Sequence, residues 1–362
     1  MIIYIYVILN ILHLTNILNT LMVNNSEKLI DPFGRTVNYL RISVTDRCNF
    51  RCRYCMPEEL YGEAFEFLKK DQVLSFEEII RLSEIFVALG VKKIRLTGGE
   101  PLVRKGVSEL IGSISKINKD LDIAMTTNGY LLEKYASKLF QAGLKRLTVS
   151  LDSLDNEIFQ KMSGKKFNVI EVLNGIKRAQ FEGFKDIKIN TVVRKGVNEK
   201  SILGLVDYCR SEGHILRFIE YMDVGTLNSW DIKNVVSSND IIKTISKKYE
   251  LVEIEKNYPS ETSDRFSFVD GKGEIGFISS ISNPFCGNCT RARITADGKL
   301  VTCLFSNTGM NLKSLLRSRK SNKFITDEII NTWKLRDDKY SLERTNSKVN
   351  VKNKIEMFQT GG

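Results

Sequence analysis

At 362 residues the chain has room for one large domain or two smaller ones, and its 42% apolar and 27% charged residues are ordinary for a soluble globular protein. The net charge of +11 suits an anionic partner such as nucleic acid, a membrane face or a phosphorylated small molecule. Only two histidines are present, which excludes a His-rich metal site and argues against Ser-His or Cys-His nucleophilic catalysis.

Taken in chain order, segment 1–23 carries no Lys, Arg, Asp or Glu. It lacks the charged start of a signal peptide. It is about long enough to cross a bilayer, but Asn10, His13, Thr15, Asn16 and Asn19 interrupt it. Val7, Ile11, Leu14, Leu18 and Leu21 repeat at the spacing of a membrane-surface helix. The reading adopted is an extension outside the fold, or translation starting at Met22, over an anchor.

After Asp31, short β-branched runs alternate with amphipathic stretches. Strands are expected at Tyr39–Thr45, Lys92–Thr97, Asp122–Thr126, Lys145–Leu151, Lys188–Val193 and Ile215–Glu220. Helices are expected at Phe76–Leu89, Val103–Ile117, Leu131–Ala142, Val169–Glu182 and Ser201–Arg210. Ser75 is a candidate cap and Gly90 a stop for the first of them. Strand–helix units in series imply right-handed parallel crossovers, in a sheet that is either open and doubly wound or curved into part of a barrel. Ligands gather at the carboxyl ends of such strands. There the sequence places Asp46-Arg-Cys48, Gly98-Gly-Glu-Pro101, Thr126-Thr-Asn-Gly129, Ser150-Leu-Asp-Ser153 and Glu220-Tyr-Met222. Each alone is turn chemistry; their common rim is the signal. Past residue 230 a helix (Ser238–Lys248) leads into strand-like runs at Glu250–Glu255, Arg265–Val269 and Glu274–Ser280. A hairpin about Asp297-Gly298 would fold Cys303 back toward Cys289. The division is therefore 31–235, which carries the strand–helix series, and 236–362, an α+β extension ending in Gly361-Gly362.

The seven cysteines fall into two incomplete quartets and a remainder. Cys48, Cys52 and Cys55 form C-x3-C-x2-C directly after the first strand. Cys286, Cys289 and Cys303 form C-x2-C-x13-C. A four-iron cluster usually takes four thiolates; three leave one iron open, as a catalytic metal keeps one position free for substrate. Disulfides and zinc are the rival readings, and neither explains why both sets stop at three. Cys209 lies on a helical face with Ile202, Leu205 and Val206, where a buried small apolar residue is expected.

The first trio resembles the radical S-adenosylmethionine (SAM) superfamily, with Tyr54 as the aromatic residue before the last cysteine. Gly98-Gly-Glu-Pro101 resembles that superfamily's second motif, where a residue without Cβ would let the backbone approach the methionine moiety. From Asp31-Pro-Phe-Gly-Arg35 to the closing Gly-Gly the chain is similar to the GTP 3′,8-cyclase family. The motifs are Ser43-Val-Thr-Asp-Arg-Cys-Asn-Phe-Arg-Cys-Arg-Tyr-Cys-Met-Pro57, Thr97-Gly-Gly-Glu-Pro-Leu102, Phe218-Ile-Glu-Tyr-Met-Asp-Val-Gly225 and Cys289-Thr-Arg-Ala-Arg293.

The resemblance implies an α/β fold, a partial (β/α)6 TIM-like barrel whose carboxyl-terminal α+β extension carries a second cluster. It implies a 4Fe-4S cluster on Cys48, Cys52 and Cys55, and another on Cys286, Cys289 and Cys303 whose open iron meets the guanine of GTP. SAM would be contacted by Tyr54, Gly99, Ser150 and Met222. GTP would be contacted by Arg41, Arg95, Thr126, Lys188, Arg291, Ala292 and Arg293. Gly361, Gly362, Arg291 and Arg293 are implied as catalytic. A 5′-deoxyadenosyl radical from SAM would take the ribose C3′ hydrogen, and C3′ would then join C8 of guanine, a lyase reaction that opens molybdenum cofactor biosynthesis. The implied setting is the cytoplasm, with a reducing protein as electron donor, cyclic pyranopterin monophosphate synthase as product acceptor, no nucleic acid, and a homodimer left open. The rivals are a radical SAM enzyme acting on peptide or RNA, which would more often carry extra cysteines, and an electron carrier or zinc module, which would want complete ligand sets.

Overall fold

The structure is a computed structural model and describes residues 29–226, 229–344 and 354–361. Segment 1–23, with Met22, and the terminal Gly362 lie outside the described residues.

Six strands follow one another in space as in sequence: β1 Tyr39–Ser43, β2 Lys93–Thr97, β3 Asp122–Thr127, β4 Arg146–Ser150, β5 Lys188–Val193 and β6 Ile215–Glu220. Each pairs parallel with the next. Helices Phe76–Ala88, Val107–Ser115, Leu132–Gln141, Val169–Glu182 and Ile202–Glu212 make the crossovers. Ser75 caps the first in a reciprocal capping box, accepting from Glu78 N at 3.2 Å while Glu78 Oε2 accepts from Ser75 N at 2.7 Å. Within the strand–helix series, Asn156–Ser163, between β4 and the Val169–Glu182 helix, escaped the periodicity reading. It spans only two turns and buries just Phe159, Met162 and Ser163. Its signals were its ends, Asp155 accepting from Ile158 N and Gly164 in the left-handed conformation.

The remaining strands are β7 Leu251–Ile254, β8 Asp264–Phe268, β9 Glu274–Ile278, β10 Arg291–Ile294, β11 Lys299–Val301 and β12 Met310–Asn311. They extend both edges of the same sheet. β9 pairs parallel with β6, and β10 pairs parallel with β1. β9 and β10 are consecutive strands but stand at opposite ends of the parallel set. The segment between them, 279–290, must therefore cross the open side of the sheet, and it carries Cys286 and Cys289. The expected hairpin is present: β10 and β11 pair antiparallel around Asp297-Gly298. Side chains of β1 to β6, β9 and β10 all line one cavity, so the sheet curves around it as a partial barrel.

The core is the layer between strands and outer helices. Leu40, Ile42, Ile94, Leu96, Met125, Val149 and Ile189 face Ile79, Leu82, Ile111, Leu139, Val172 and Leu205. Cys209 belongs to it, 2% exposed, with burial pushing its thiol pKa up. No helix among the described residues is long and apolar enough to cross a membrane.

Candidate active site

The loop after β1 holds the first trio by its backbone. Cys55 N and Met56 N both donate to Cys52 O, at 2.9 and 2.7 Å, which winds the loop tightly. Arg51 reaches under it, with Nη1 donating to Cys48 O at 2.7 Å and Nε to Tyr61 O at 2.7 Å. Tyr54 donates its hydroxyl to buried Asp152 Oδ2 at 2.9 Å, tying the loop to the end of β4. Phe50 N points at Cys48 Sγ from 3.4 Å. Glu100 accepts from Thr127 Oγ1 at 2.7 Å, Asn128 N at 2.6 Å and Leu102 N at 3.0 Å, and burial raises its carboxyl to about 7.

The glycines of the second motif have a packing reason of their own. A Cβ on Gly98 would meet Thr45 O at 2.6 Å, and one on Gly99 would collide with Arg47 O. Both are required because the loop after β2 packs directly on the cysteine loop.

The second trio opens on the barrel cavity, about 1390 Å³ counted to its mouth. Cys286, Cys289 and Cys303 share its lining with Arg41, Arg95, Thr126, Lys188, Met222, Arg291 and Arg293. The structure thus brings the side chains expected at GTP, all but one, into one space. The exception is Ala292, whose side chain is 0% exposed and lies in the hydrophobic core. Alternation along β10 turns Arg291 and Arg293 inward and Ala292 away, so only its backbone could reach a ligand. Ser150, Gly99 and Tyr54 stand outside this cavity, at the rim beside the first trio.

The carboxyl-terminal tail links the two regions. In the turn Met357–Thr360, Phe358 packs on Met56 and Tyr61, against Cys48 and Cys55. Gly361 is left-handed, at φ +67°, and Arg293 Nη1 donates to its carbonyl at 3.0 Å. A Cβ on Gly361 would overlap the Thr97 hydroxyl at the end of β2.

The electrostatics of the cavity are one-sided. Burial and the neighbouring Arg217, Lys93, Arg146 and Arg95 lower the Lys188 ammonium to about 7. Burial and Arg291 lower Arg293 to about 10. Burial alone would raise the Tyr39 hydroxyl, yet Arg95, Arg41 and Lys93 outweigh it and bring it down to about 7. Glu261 and Asp338 are the acids among the lining residues, and Glu261 is already paired with Arg217 at 3.3 Å. Such a crowd of buried cations depresses its own pKa values and calls for a polyanion. An anion bound there lifts the Lys188 pKa, so binding takes up a proton. Affinity for a triphosphate should be full below pH 7 and fall by up to about tenfold per pH unit above it. Lys188→Arg should flatten that slope, measured as nucleotide Kd between pH 6 and 9.

Both cysteine sets fit an iron–sulfur cluster. All six are free thiols. Burial, then Glu100, pushes Cys48 up to about 12; burial and the other thiols of its trio raise Cys52 and Cys55. Burial and Asp338 raise Cys303 to about 12, whereas Arg291 and Arg336 outweigh burial at Cys289 and bring it down to about 6. Thiolates crowded in this way need a cationic centre. No three His, Cys, Asp or Glu side chains among the described residues close around a single metal ion. A four-iron cluster takes Cys thiolates, and two sets of three free cysteines are the donors offered here. Cys209 and His214 line a separate small cavity and complete neither set.

Residues the sequence reading passed over also line the main cavity: Lys93, Arg217, Tyr39, Asn190 and Tyr258. Four of them were legible by alternation. Tyr39 and Asn190 are two places from Arg41 and Lys188, Lys93 is two from Arg95, and Arg217 shares the inward face of β6 with Ile219. Arg95 is also less free than its expected role suggests. Its guanidinium bonds the Tyr39 hydroxyl and donates to Thr126 Oγ1 and Thr148 Oγ1, each at 2.9 Å.

Comparison with known proteins agrees with this geometry. Residues 42–209 match the Radical SAM superfamily and residues 214–342 match Molybdenum Cofactor Synthesis C. The structure of native anSMEcpe with bound AdoMet and Kp18Cys peptide shares the fold, with a TM-score of 0.53 at 15% identity over 90% of this chain and 88% of that one. The class is thus radical SAM enzyme. Among curated relatives, the GTP 3′,8-cyclase of Staphylococcus haemolyticus (strain JCSC1435) is 43% identical over 92% of this chain and 98% of its own. That of Xanthomonas axonopodis pv. citri (strain 306) is 45% identical over the same shares, 92% and 98%. The chain belongs to the GTP 3′,8-cyclase family.

Proposed function

We propose that this chain is a lyase converting GTP to (8S)-3′,8-cyclo-7,8-dihydroguanosine 5′-triphosphate, the opening step of molybdenum cofactor biosynthesis. The observation that carries the proposal is the cavity itself: Cys286, Cys289 and Cys303 share its lining with Arg41, Lys188, Arg291 and Arg293.

Cys48, Cys52 and Cys55 would hold a four-iron cluster, which would supply the single electron for reductive cleavage of SAM to methionine and a 5′-deoxyadenosyl radical able to take the C3′ hydrogen of GTP. The protein's own share is placement. Arg51, Asp152 and the two glycines fix the first trio at the rim, with Tyr54, Gly99 and Ser150 on the SAM side, and Met222 would meet SAM from the cavity it shares with the second trio. Arg41, Lys188, Arg291 and Arg293 hold the triphosphate, the guanidinium forks matching phosphate oxygens in pairs. Arg95 and Thr126, bonded to each other, orient within the same wall. Cys286, Cys289 and Cys303 would hold a second 4Fe-4S cluster with an iron left for guanine. Gly361 stands between the two regions, where a side chain would not fit, and would keep water from the reacting carbon. A reducing protein as electron donor, cyclic pyranopterin monophosphate synthase as the next acceptor, and a cytoplasmic setting belong to this reading.

The test is oxygen-free reconstitution followed by product analysis. 5′-Deoxyadenosine should appear with SAM only when GTP is present, together with cyclised nucleotide. Release with a peptide or RNA and none with GTP would favour the rival radical SAM reading.

A further inference from the structure

The expected ligands of the second trio leave out the residues that hold that trio in place. Asp31, Arg35 and Arg336 are 4%, 3% and 4% exposed and come from opposite ends of the chain. Asp31 accepts from Arg35 Nε and lies 3.5 Å from Arg336 Nη1. Its other oxygen accepts Phe33 N at 3.0 Å and Arg35 N at 2.9 Å, so the carboxylate is saturated and fixed. Each arginine then grips the backbone of a cysteine. Arg35 Nη1 donates to Cys286 O at 3.0 Å, and Arg336 Nη1 donates to Cys289 O at 2.7 Å. Trp333 completes the assembly, donating Nε1 to Arg35 O at 3.0 Å while its ring lies 4.6 Å under the Arg336 guanidinium. Segment 279–290 crosses an open gap without strand pairing, and this buried ionic knot is what grips it at both cysteines. Arg35 Nη2 has no protein partner, and Arg35 lines the cavity beside Cys286 and Cys289.

We propose that Asp31, Arg35 and Arg336 are positioning residues for the second cluster: Asp31 aligns two guanidiniums that clamp the Cys286 and Cys289 carbonyls, and Arg35 Nη2, left without a hydrogen-bond partner at the cavity lining, would donate to the cluster. The proposal rests on the reading of Cys286, Cys289 and Cys303 as cluster ligands. Outer partners of this kind orient ligands, and hydrogen bonds to sulfur set reduction potential. Truncating one member of a buried ion network leaves its partners uncompensated, so the clamp should fail as a unit.

The experiment compares full-length wild type, Asp31→Asn and Arg35→Lys after anaerobic reconstitution, reading iron per chain, EPR of the reduced protein and the midpoint potential of the second cluster. Wild type should hold about 8 irons. Asp31→Asn should fall toward about 4 irons while the first cluster keeps its SAM-induced EPR change. Arg35→Lys, which keeps the charge but loses the planar fork, should retain iron and show a lowered potential for the second cluster only. Both variants matching wild type in iron, EPR and potential overturn the clamp. If Asp31→Asn does not fold, an unchanged potential in Arg35→Lys overturns it alone. A wild type holding about 4 irons overturns the reading of the second trio itself, and the clamp with it.

Discussion

A chain ending at Thr360 should load both cysteine sets with iron and yield no cyclised nucleotide. The tail is not needed to hold either trio: the first is wound by its own loop and by Arg51, the second is gripped by Arg35 and Arg336. What ends with it is the link between them. Gly361 offers its carbonyl to Arg293 and its bare Cα to Thr97. Its left-handed backbone is open to glycine at little cost and strained for other residues. Misplacing groups by an ångström near a reacting centre costs about 100-fold or more in rate, so turnover should fall at least that far. Gly361→Ala should behave like the truncation, because the added methyl has no room. Iron content and product formation measured on the same sample check the expectation. Full activity in either variant would remove the tail from the mechanism.

Arg293→Ala should lower kcat/KM for GTP by roughly 10- to 150-fold, on the scale of one charged hydrogen bond of about 1.5–3 kcal/mol. Arg293 is 4% exposed; it donates to the tail carbonyl, and the neighbouring Arg291 cation repels its charge. It therefore serves the anion and the tail together, and its removal should raise KM and lower kcat. Arg293→Lys should recover little, since an ammonium cannot span two oxygens in a plane. A change in KM alone would place Arg293 in binding only.

The strand–helix series was legible because its strands are β-branched runs with buried alternation and its helices carry one apolar face. All six strands of that series lie within two residues of expectation at either end. The cysteine arithmetic was legible for the same chemical reason that makes it rare: a pattern of three thiolates twice over has few uses. What sequence spacing could not show is adjacency across the fold. That β9 and β10 sit at opposite sheet edges follows from pairing with β6 and β1, and no local pattern contains it. Alternation puts Lys93 and Arg217 on one face of their strands, but only the curvature of the sheet turns both into one cavity. Ala292 went the other way, drawn into the site by its two neighbours although strand alternation sends it to the core. The packing of Gly98 and Gly99 was not legible, because their tight neighbours, Thr45 and Arg47, lie some fifty residues earlier in the chain. The Asn156–Ser163 helix is too short to establish a period, and only its caps announce it.

In the proposed function, SAM at the first trio faces a nucleotide held against the second, with the ribose between them. The most direct measurement uses GTP deuterated at C3′, with SAM and reductant under nitrogen, and mass analysis of the released 5′-deoxyadenosine. One deuterium should be found in that product, together with cyclised nucleotide that has lost it. Unlabelled 5′-deoxyadenosine, formed at the same rate with or without GTP, would contradict the account.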